Sequence, residues 1–445
     1  MKSSFQSSVV NTLAITPTRD EAIARLAAFM PNVSGYAKGR NFDRPGNQAV
    51  SEASPFLRYR LVTEREVVES VLAEYSYESA EKFIQEICWR TYWKGYLEMR
   101  PGIWERYKVD NQALHDNLEV DLQNRLEKAR RGQTGIDCFD DWVQQLVTTG
   151  WLHNHTRMWF ASIWIFTLKL PWQAGAALFL EHLLDGDAAS NTLSWRWVAG
   201  LHTRGKHYLA RADNINRYTD GRYNPQGLLN ESAAPLPPDG AFESVPFAKV
   251  ALLRDVHLPS LSCCPAGLLV IPDDLTPESG ELSETPFSSI CVLSGNDVMD
   301  SFNASPKVRA FCEGAVADSA DRLAAHWDGK VTECQGEVIP TVGRASPDNV
   351  GRRERMRVYG GSVNCWVDGV VTWARNEHLK SVWYLRPPVG PWGDAMDDLR
   401  SALKAQGIKV FEYRRRWDSL HWPHATAGYF RFKDGLQDRL NRLLG

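Results

Sequence analysis

The chain has 445 residues and a formal net charge of −3, with 51 Lys and Arg against 54 Asp and Glu. At 43% hydrophobic and 24% charged residues it has the composition of a folded globular protein, which excludes a fibrous repeat or a largely disordered chain. Its length predicts two or three domains, because one domain usually takes about 150 residues. The net charge disfavours indiscriminate nucleic-acid binding but allows a local basic patch.

Membrane and disulfide signals are weak. No apolar run approaches the roughly 20 residues that span a bilayer, and the N-terminus lacks the apolar core of a secretory signal. The 8 cysteines are scattered with no CxxC pair, a pattern typical of reduced thiols rather than of a disulfide framework or a zinc site. We therefore expect a cytoplasmic protein without a metal ion or membrane contact.

The first half of the chain predicts an all-α domain. Apolar residues recur at three- and four-residue spacing over 64–97, and a second amphipathic segment covers 142–170, where Pro171 ends it. A third helix, over 172–184, ends in an Asp-Gly-Asp turn. Strand signals are scarce in this half.

The second half has a mixed pattern. A stretch rich in Pro, Gly and Ala precedes it and predicts a linker. The runs GLLVIP and SSICVLS predict short buried strands, while SVWYLRPP, an amphipathic helix over 394–406 and GIKVFEY predict a βαβ unit with parallel strands. The predicted organisation is multi-domain, with an all-α domain over 20–235, a linker over 236–259 and a smaller α/β domain over 260–445.

Tryptophan is unusually frequent, with 17 in the chain and 10 of them before residue 236. A core can be built with far fewer, since Trp is large and amphipathic. The excess fits either a strongly aromatic core or a protein that stacks flat rings or moves electrons between them.

Three motifs in the helical half each bring polar groups together with an indole or a thioether. Two of them relate residues by the helical spacing i, i+3 and i+4, and the third joins the acidic turn to the helix after it. The residues are Glu86, Trp89 and Arg90, then Asn154, Arg157 and Met158, and finally Asp185, Asp187, Asn191, Trp195 and Trp197. Singly, they fit a surface ion pair, a helix cap and core indoles. Together they predict a buried polar site, because polar groups on apolar helix faces need partners.

In order and spacing, these motifs resemble the FAD-binding helical domain of the DNA photolyase and cryptochrome family. The resemblance covers about residues 35–225, half of the chain, and is carried by TGWLHNHTRM and LLDGDAASNTLSWRW. It implies an all-α FAD-binding photolyase-like domain followed by a smaller α/β domain, with FAD as the cofactor and damaged DNA, carrying pyrimidine dimers, as the partner. Whether the α/β domain is a relocated antenna-like domain, which second chromophore it binds, and which protein partners exist stay open.

The same resemblance implies which residues bind FAD. In the family's pattern, Ser51 and Ser54 lie in the phosphate loop, and Asn191 faces flavin N5 and tunes its redox state. Hydroxyl and backbone N–H groups at a helix start suit a pyrophosphate. The implied FAD contacts are Tyr36, Ser51, Ser54, Arg90, Asn154, Arg157, Asp185, Asp187 and Asn191.

The cofactor loop departs from the family's pattern at three positions. Val50 replaces a Thr, Glu52 replaces an Arg, and Arg60 replaces a Gly. Because a glycine-only backbone conformation disfavours side chains, we expect a different backbone at Arg60.

The resemblance also implies a substrate pocket. Trp89 and Trp197 match the two indoles that wall the cavity for a flipped-out dimer, and flat apolar walls suit an extruded lesion. Glu86 matches the carboxyl that hydrogen-bonds the dimer and stabilises its radical anion, and Arg40 matches a residue that faces DNA. Met158 is typical of enzymes for cyclobutane dimers, whereas the branch for 6-4 photoproducts has a histidine there.

A chain of tryptophans that photoreduces the flavin is only partly matched. Trp195 and Trp172 fall on its inner and middle positions. The outer position falls near Glu119, with no Trp around it. The third step is therefore missing or made by another residue.

Residues 190–225, which follow the third motif, carry 6 Lys and Arg against 2 Asp. This composition predicts a basic rim that contacts phosphates around the pocket; the alternative is a solvated loop with scattered charge. In a chain of net charge −3, such DNA binding would be local and sensitive to salt.

Three functions are compatible with these features. The leading hypothesis is a lyase that repairs cyclobutane pyrimidine dimers in DNA by light-driven electron transfer from reduced FAD. The second is a cryptochrome-like blue-light photoreceptor that binds FAD without repair, and the third is a flavoprotein that only binds nucleic acid. Retention of Glu86, Trp89, Trp197 and Asn191 favours the enzyme. The rearranged domain order, the altered cofactor loop and the missing outer Trp favour the receptor.

Overall fold

Before residue 240 the described part of the chain is helical, apart from one β-bridge between Thr203 and Lys206. The computed structural model describes residues 15–46, 49–116, 119–203, 205–239, 265–327, 331–336, 357–358 and 365–444. The helices before residue 240 are α1 (Arg19–Phe29), α2 (Tyr36–Gly39), α3 (Ser54–Arg58), α4 (Glu64–Glu74), α5 (Tyr77–Glu98), α6 (Gly102–Asp116), α7 (Val120–Arg130), α8 (Asp137–Thr149), α9 (Asn154–Ser162), α10 (Trp172–His182), α11 (Ala188–Ala199) and α12 (Ala212–Tyr218). None of the described helices combines the length and the apolar character that a membrane crossing requires.

Two long helical segments of the sequence are each divided in the structure. The first becomes α4 and α5, because Ser76 caps the start of α5 by accepting a hydrogen bond from Ser79 N at 3.3 Å. The second is broken at Gly150, which ends α8 in the left-handed conformation with φ +70°. After α9 the chain makes a π-helical turn over Ile163–Thr167. The predicted third helix is confirmed as α10.

The described residues after 264 form a parallel sheet with helices, which confirms the predicted smaller α/β domain. Its strands are β1 (Ala266–Val270), β2 (Ser289–Leu293), β3 (Val331–Gly336), β4 (Arg357–Val358), β5 (Ser381–Leu385) and β6 (Lys409–Tyr413). Their order is β4-β3-β2-β1-β5-β6, with every pairing parallel. The helices are α13 (Asn296–Asp300), α14 (Pro306–His326), α15 (Cys365–Asn376), α16 (Pro391–Ala405), α17 (Arg416–His421), α18 (Tyr429–Lys433) and α19 (Leu436–Leu444). The predicted βαβ unit is β5, α16 and β6.

The strand order reverses between β1 and β5, where open parallel sheets usually form a crevice at their carboxyl ends. Here the loops at that crevice meet the helical domain. Arg58 on α3 pairs with Asp273, just after β1, and donates to Gly186 O at 2.8 Å. A Cβ on Gly390, after β5, would lie 2.9 Å from Cβ of Ala188. Both loops therefore pack against the acidic turn that precedes α11.

A buried group of six charged residues, the interdomain cluster, joins the two domains. Its members are Arg60, Glu64, Lys94, Asp274, Arg415 and Asp418. Arg60 donates to Glu64 at 3.2 Å, to Asp274 at 3.0 Å and to both carboxylate oxygens of Asp418 at 2.8 Å. Arg415 makes two hydrogen bonds of 2.6 Å to Asp274. The balance of opposite charges compensates for the cost of burying each one.

Arg60 adopts φ +50°, the left-handed conformation that glycine favours. The expectation that the backbone here differs from the family's stays a prediction. For a residue that carries a side chain, this backbone conformation costs about 1–2 kcal/mol of free energy. Three buried carboxylates hold the guanidinium group of Arg60 and offset that cost, because hydrogen bonds between charged groups are stronger than neutral ones.

The structure corrects one expectation about the cysteines. Cys88, Cys138 and Cys312 are free, buried thiols, as predicted. Cys291, on β2, is disulfide-bonded. Spacing along the chain does not reveal such a bond, because a disulfide depends on proximity of the two residues in the fold.

Buried histidines are expected to make the fold sensitive to acid. Burial lowers the pKa of His202 and of His421 to about 3 in each case, against about 6.5 in an unfolded chain. The unfolded state then binds protons that the folded state does not. The free energy of unfolding should therefore fall between about pH 6.5 and about pH 3, by up to about 1.4 kcal/mol per pH unit for each histidine.

Urea unfolding at a series of values between neutral and mildly acidic pH measures this slope. His202 is hydrogen-bonded to the Tyr92 hydroxyl at 3.0 Å, and Gln at this position can keep a hydrogen bond without titrating. His202→Gln should therefore remove the contribution of one histidine to the change of the free energy of unfolding with pH. If the pH dependence equals that of the unaltered protein, the pKa of His202 is not lowered in the folded state.

Candidate functional site

The acidic turn between α10 and α11 is where four predicted cofactor residues meet. Asp187 caps α11 by accepting a hydrogen bond from Ser190 N at 2.8 Å. Helices α5 and α9 pack against α11 and bring two guanidinium groups to this turn. Arg90 pairs with Asp187 and lies 3.9 Å from Asp185. Arg157 donates to Asp185 at 3.0 Å.

Both carboxylates of the turn are buried, yet the charges around them favour the ionised form. Burial alone would raise the pKa of Asp185 and of Asp187. Arg157 and Arg90 outweigh burial at Asp185, and Arg90 and Lys94 do so at Asp187, so both pKa values lie below the usual range. The turn therefore offers fixed negative charge beside fixed positive charge, a combination that suits a large polar ligand with donors and acceptors.

Arg58 contacts the acidic turn, and sequence reasoning did not single it out. It connects the acidic turn to the α/β domain through Gly186 O and Asp273, which lie 128 and 215 positions away in the chain. The predicted phosphate loop, VSEASPFL over 50–57, ends one residue before Arg58, so only the position directly after that loop could have suggested it.

Polar atoms without partners indicate a ligand at the acidic turn. Oδ1 of Asp185 and the hydroxyl of Ser190 are buried, and neither has a hydrogen-bond partner of good geometry among the described residues. Buried polar atoms normally have partners. FAD fits this set, because its ribose hydroxyls, pyrophosphate and flavin ring carry matching donors and acceptors.

The predicted phosphate loop lies beside the same turn. Ser54 begins α3, and its side chain is close enough to Asp185 to help to lower the pKa of that carboxyl. Ser51 accepts a hydrogen bond from Ala53 N at 3.4 Å. Glu52, one of the departures from the family's pattern, has φ +50° and pairs with Arg25 at 3.0 Å. Its negative charge is thus neutralised by the protein itself.

A second group of predicted residues gathers around Glu86 on α5. Arg40, just after α2, pairs with Glu86 at 2.5 Å. Tyr36 lies near both, since their charges influence its pKa, which burial raises above the usual value. Burial also raises the pKa of Glu86 despite the nearby Arg40. The Glu86 carboxyl is therefore more easily protonated, and its protonated form can donate a hydrogen bond.

The two indoles expected to wall the pocket are both half buried. Trp89 is stacked on Tyr429 of α18, with ring centroids 3.7 Å apart and 10° between the planes. Trp197 faces Tyr208 with centroids 6.0 Å apart and 24° between the planes. Sequence reasoning missed Tyr429, because no recognisable motif surrounds it. One face of Trp89 is therefore covered by the protein's own C-terminal part.

The remaining predicted residues differ in burial. Asn191 is buried and donates from Nδ2 to Ala176 O at 2.7 Å, so its amide is held in one orientation. Met158 is half buried on α9, on the same helix as Arg157. Asn154, the first residue of α9, is exposed.

Aromatic contacts continue from the predicted electron-transfer tryptophans. Trp195 is buried in α11, and Trp172 begins α10 with its ring 5.7 Å from Tyr107. Tyr107 is stacked on Trp104 at 5.2 Å. Trp104 and Tyr107 line a cavity of about 1020 Å³ between the two domains. Glu119, at the predicted outer position, precedes α7.

The structure reduces the predicted basic rim. Arg196 is buried and pairs with Asp239. Arg222 pairs with Asp43 at 2.9 Å. Because these guanidinium groups are engaged within the protein, they are not free to form a rim for phosphates. Arg204 lies outside the described residues.

Comparisons with known proteins concern the helical half. Residues 83–227 match the family model of the FAD binding domain of DNA photolyase. A deoxyribodipyrimidine photo-lyase of Alkalihalophilus pseudofirmus is 33% identical over 196 residues, which are 42% of this chain and 39% of that protein. The corresponding protein of Streptomyces griseus is 33% identical over 186 residues, 39% of this chain and 40% of that protein. A Synechocystis cryptochrome structure is 25% identical with a TM-score of 0.41, covering 46% of this chain and 44% of that one. The chain thus spans about two fifths of the length of the curated relatives it matches.

Proposed function

Because the helical domain of this chain belongs to the photolyase and cryptochrome family, we propose that the protein repairs cyclobutane pyrimidine dimers in DNA with light. Reduced FAD, when bound, would supply the electron that splits the dimer. The residues of the chain bind and orient the cofactor and the dimer. Two relatives that are 33% identical over their matched regions carry the name deoxyribodipyrimidine photo-lyase, which supports this class of reaction.

In this proposal the acidic turn and its surroundings hold FAD. Carboxylates accept hydrogen bonds from ribose and flavin groups, and guanidinium groups neutralise phosphate charge. Ser51 and Ser54 contribute hydroxyl groups at the start of α3, and Tyr36 and Asn191 contact the flavin part. The proposed FAD residues are Tyr36, Ser51, Ser54, Arg90, Asn154, Arg157, Asp185, Asp187 and Asn191.

The observation that carries the proposal is the environment of Glu86. This carboxyl lies one helical turn from Trp89 and Arg90 and is paired with Arg40. Its partial burial disfavours the charged form and raises its pKa. In its protonated form it can donate a hydrogen bond to the carbonyl oxygen of a dimer that has gained an electron, which stabilises the anion. Trp89 and Trp197 would hold the dimer, with Met158 and Arg40 beside it.

A cryptochrome-like blue-light photoreceptor is the second candidate. The observation that favours it is that the pocket residues already have partners within the chain. Tyr429 covers one face of Trp89, and Arg40 holds Glu86. If these contacts persist with DNA present, the pocket would remain closed to a dimer and the protein would bind FAD without repair.

Repair of a thymine-dimer oligonucleotide by the purified, chemically reduced protein tests the proposal, in blue light and in the dark. Chemical reduction makes the assay independent of the tryptophan chain. We expect light-dependent loss of the dimer. Glu86→Ala should lower the rate about hundredfold, the usual loss when one donor to a developing anion is removed.

The matched control is Glu69→Ala, which removes an exposed carboxylate paired with Arg65 at 2.6 Å. Its repair rate should equal that of the unaltered protein. Protein that is loaded with flavin but repairs nothing would reject the lyase and favour the receptor. Unchanged repair by Glu86→Ala would show that the pocket is assigned wrongly.

A further inference from the structure

The segment 426–433, which contains α18, lies along α5 beside the predicted substrate residues. Hydrogen bonds and one ion pair of 2.6–2.8 Å join it to α5 and to Arg100 just beyond: Thr426 with Arg100, Ala427 with Tyr92, Tyr429 with Gln85, and Lys433 with Glu81. As the segment advances, its partners step backward along α5. It therefore runs antiparallel to this helix and passes the turn that carries Glu86 and Trp89.

Tyr429 is the buried anchor of this segment. Its side chain is 5% exposed, and its ring covers Trp89 at 3.7 Å. Its hydroxyl donates a hydrogen bond to Gln85 O at 2.6 Å, and Gln85 directly precedes Glu86. One side of the predicted pocket is thus built from both domains.

Phe430, the next residue, is directed to solvent. It is 82% exposed, the most exposed large hydrophobic side chain in the described part of the chain and the only aromatic one in that set. Arg431 and Asp434, which follow it, are exposed polar residues. Phe430 is therefore a single projecting ring on its segment, one residue from an anchor that touches the pocket wall.

We propose that Phe430 inserts into the DNA duplex beside the flipped-out dimer, with Tyr429 as the residue that positions it. This inference rests on the proposed repair function and names the part of the DNA that the segment contacts. A dimer that leaves the duplex leaves a gap, and apolar side chains inserted between base steps compensate for the lost stacking. Arg431 adds a positive charge that can contact a neighbouring phosphate.

Nucleic acid fits this feature better than a protein partner. The centre of a protein interface is a contiguous apolar area made of several side chains. The segment instead offers one ring with the exposed Arg431 beside it. A gap between bases accepts one flat ring, and the adjoining phosphates match the positive charge.

Repair of the same thymine dimer in a duplex and in a single strand tests the inference. A single strand has no partner strand to open, so an inserted ring contributes little there. We expect Phe430→Ala to lower duplex repair about tenfold relative to single-strand repair, the effect of losing one base–aromatic contact. Phe430→Trp should restore duplex repair. Leu228→Ala, which removes a 51% exposed side chain far away in the sequence, is the matched control and should leave the ratio unchanged.

Binding in the dark separates a failure of this inference from a failure of the proposed function. Fluorescence anisotropy with a labelled duplex that carries the dimer requires no light reaction. Weaker binding by Phe430→Ala than by Leu228→Ala would support insertion even if no variant repaired the dimer. If Phe430→Ala weakened the binding of duplex and of single strand equally, the inference would be overturned. The inference would also be overturned if sedimentation showed that the unaltered protein associates with itself and that Phe430→Ala abolishes this association.

Discussion

Replacing Asp274 with Ala is expected to destabilise the protein by about 3–5 kcal/mol. The Asp274 carboxylate accepts two hydrogen bonds of 2.6 Å from Arg415 and one of 3.0 Å from Arg60, and all three residues are buried. Without it, two guanidinium groups stay buried with less compensation. Leaving a buried charge without its partner costs more free energy than the intact ion pair contributes. Urea unfolding followed by circular dichroism measures the difference.

The matched control for this variant is Asp121→Ala on α7, which removes the exposed partner of Arg125 at 3.0 Å. Exposed ion pairs contribute less than about 1 kcal/mol, so this control should unfold close to the midpoint of the unaltered protein. A similarly small loss in Asp274→Ala would show that the interdomain cluster contributes little to the stability of the fold.

The contribution of Asp274 should also depend on pH in a defined direction. Burial would raise its pKa, but Arg415 and Arg60 outweigh burial and hold the pKa below the usual value, which is about 3.9 for an unfolded Asp. A carboxyl with a lowered pKa stabilises the fold fully above the unfolded value and loses that effect as pH falls through the folded value. Asp274→Ala and the unaltered protein should therefore differ most near neutral pH and least in strong acid.

Helical spacing predicted the local arrangement of the candidate site. Because residues at i, i+3 and i+4 share one face of a helix, the sequence alone placed Glu86, Trp89 and Arg90 together on α5. The βαβ unit was predictable for a similar reason, since a helix between two buried strands favours parallel pairing. The domain boundaries and the linker stay predictions, and residues 240–264 lie outside the described part of the chain.

Contacts between distant parts of the chain could not be predicted in this way. Asp418 lies 358 positions from Arg60, and Tyr429 lies 344 positions from Gln85. No periodicity connects residues so far apart. Local reasoning about Arg60 was incomplete for the same reason, because it weighed the cost of a left-handed backbone without the distant carboxylates that offset it.

The two candidate sites share one structural feature, which is that the α/β domain supports both. The loop after β1 reaches the acidic turn through Asp273 and Arg58, and the loop after β5 touches Ala188. The segment that contains α18 covers one face of Trp89. Removing the α/β domain would therefore expose the cofactor residues and the pocket wall together. Site variants are consequently best studied in the full chain.

Replacing Asp185 with Asn is expected to lower the affinity for FAD about ten- to hundredfold. Asn has nearly the same shape but no charge, so Arg157, at 3.0 Å, and Arg90, at 3.9 Å, lose the carboxylate that orients them. The substitution also turns one of the two carboxylate oxygens into a donor, and Oδ1 of Asp185 is a buried acceptor without a partner of good geometry among the described residues. Hydrogen bonds to charged groups contribute about 1.5–3 kcal/mol, which corresponds to this loss of affinity.

Titration of the protein with FAD after removal of bound flavin, followed by flavin fluorescence, measures the affinity. The control is Asp220→Asn, which removes the same charge from an exposed ion pair and should bind FAD as the unaltered protein does. Thermal unfolding of both variants without flavin shows whether the fold itself has changed. If Asp185→Asn folds normally and binds FAD with unaltered affinity, the cofactor does not depend on the acidic turn. The FAD site would then have to lie among other residues of the helical domain.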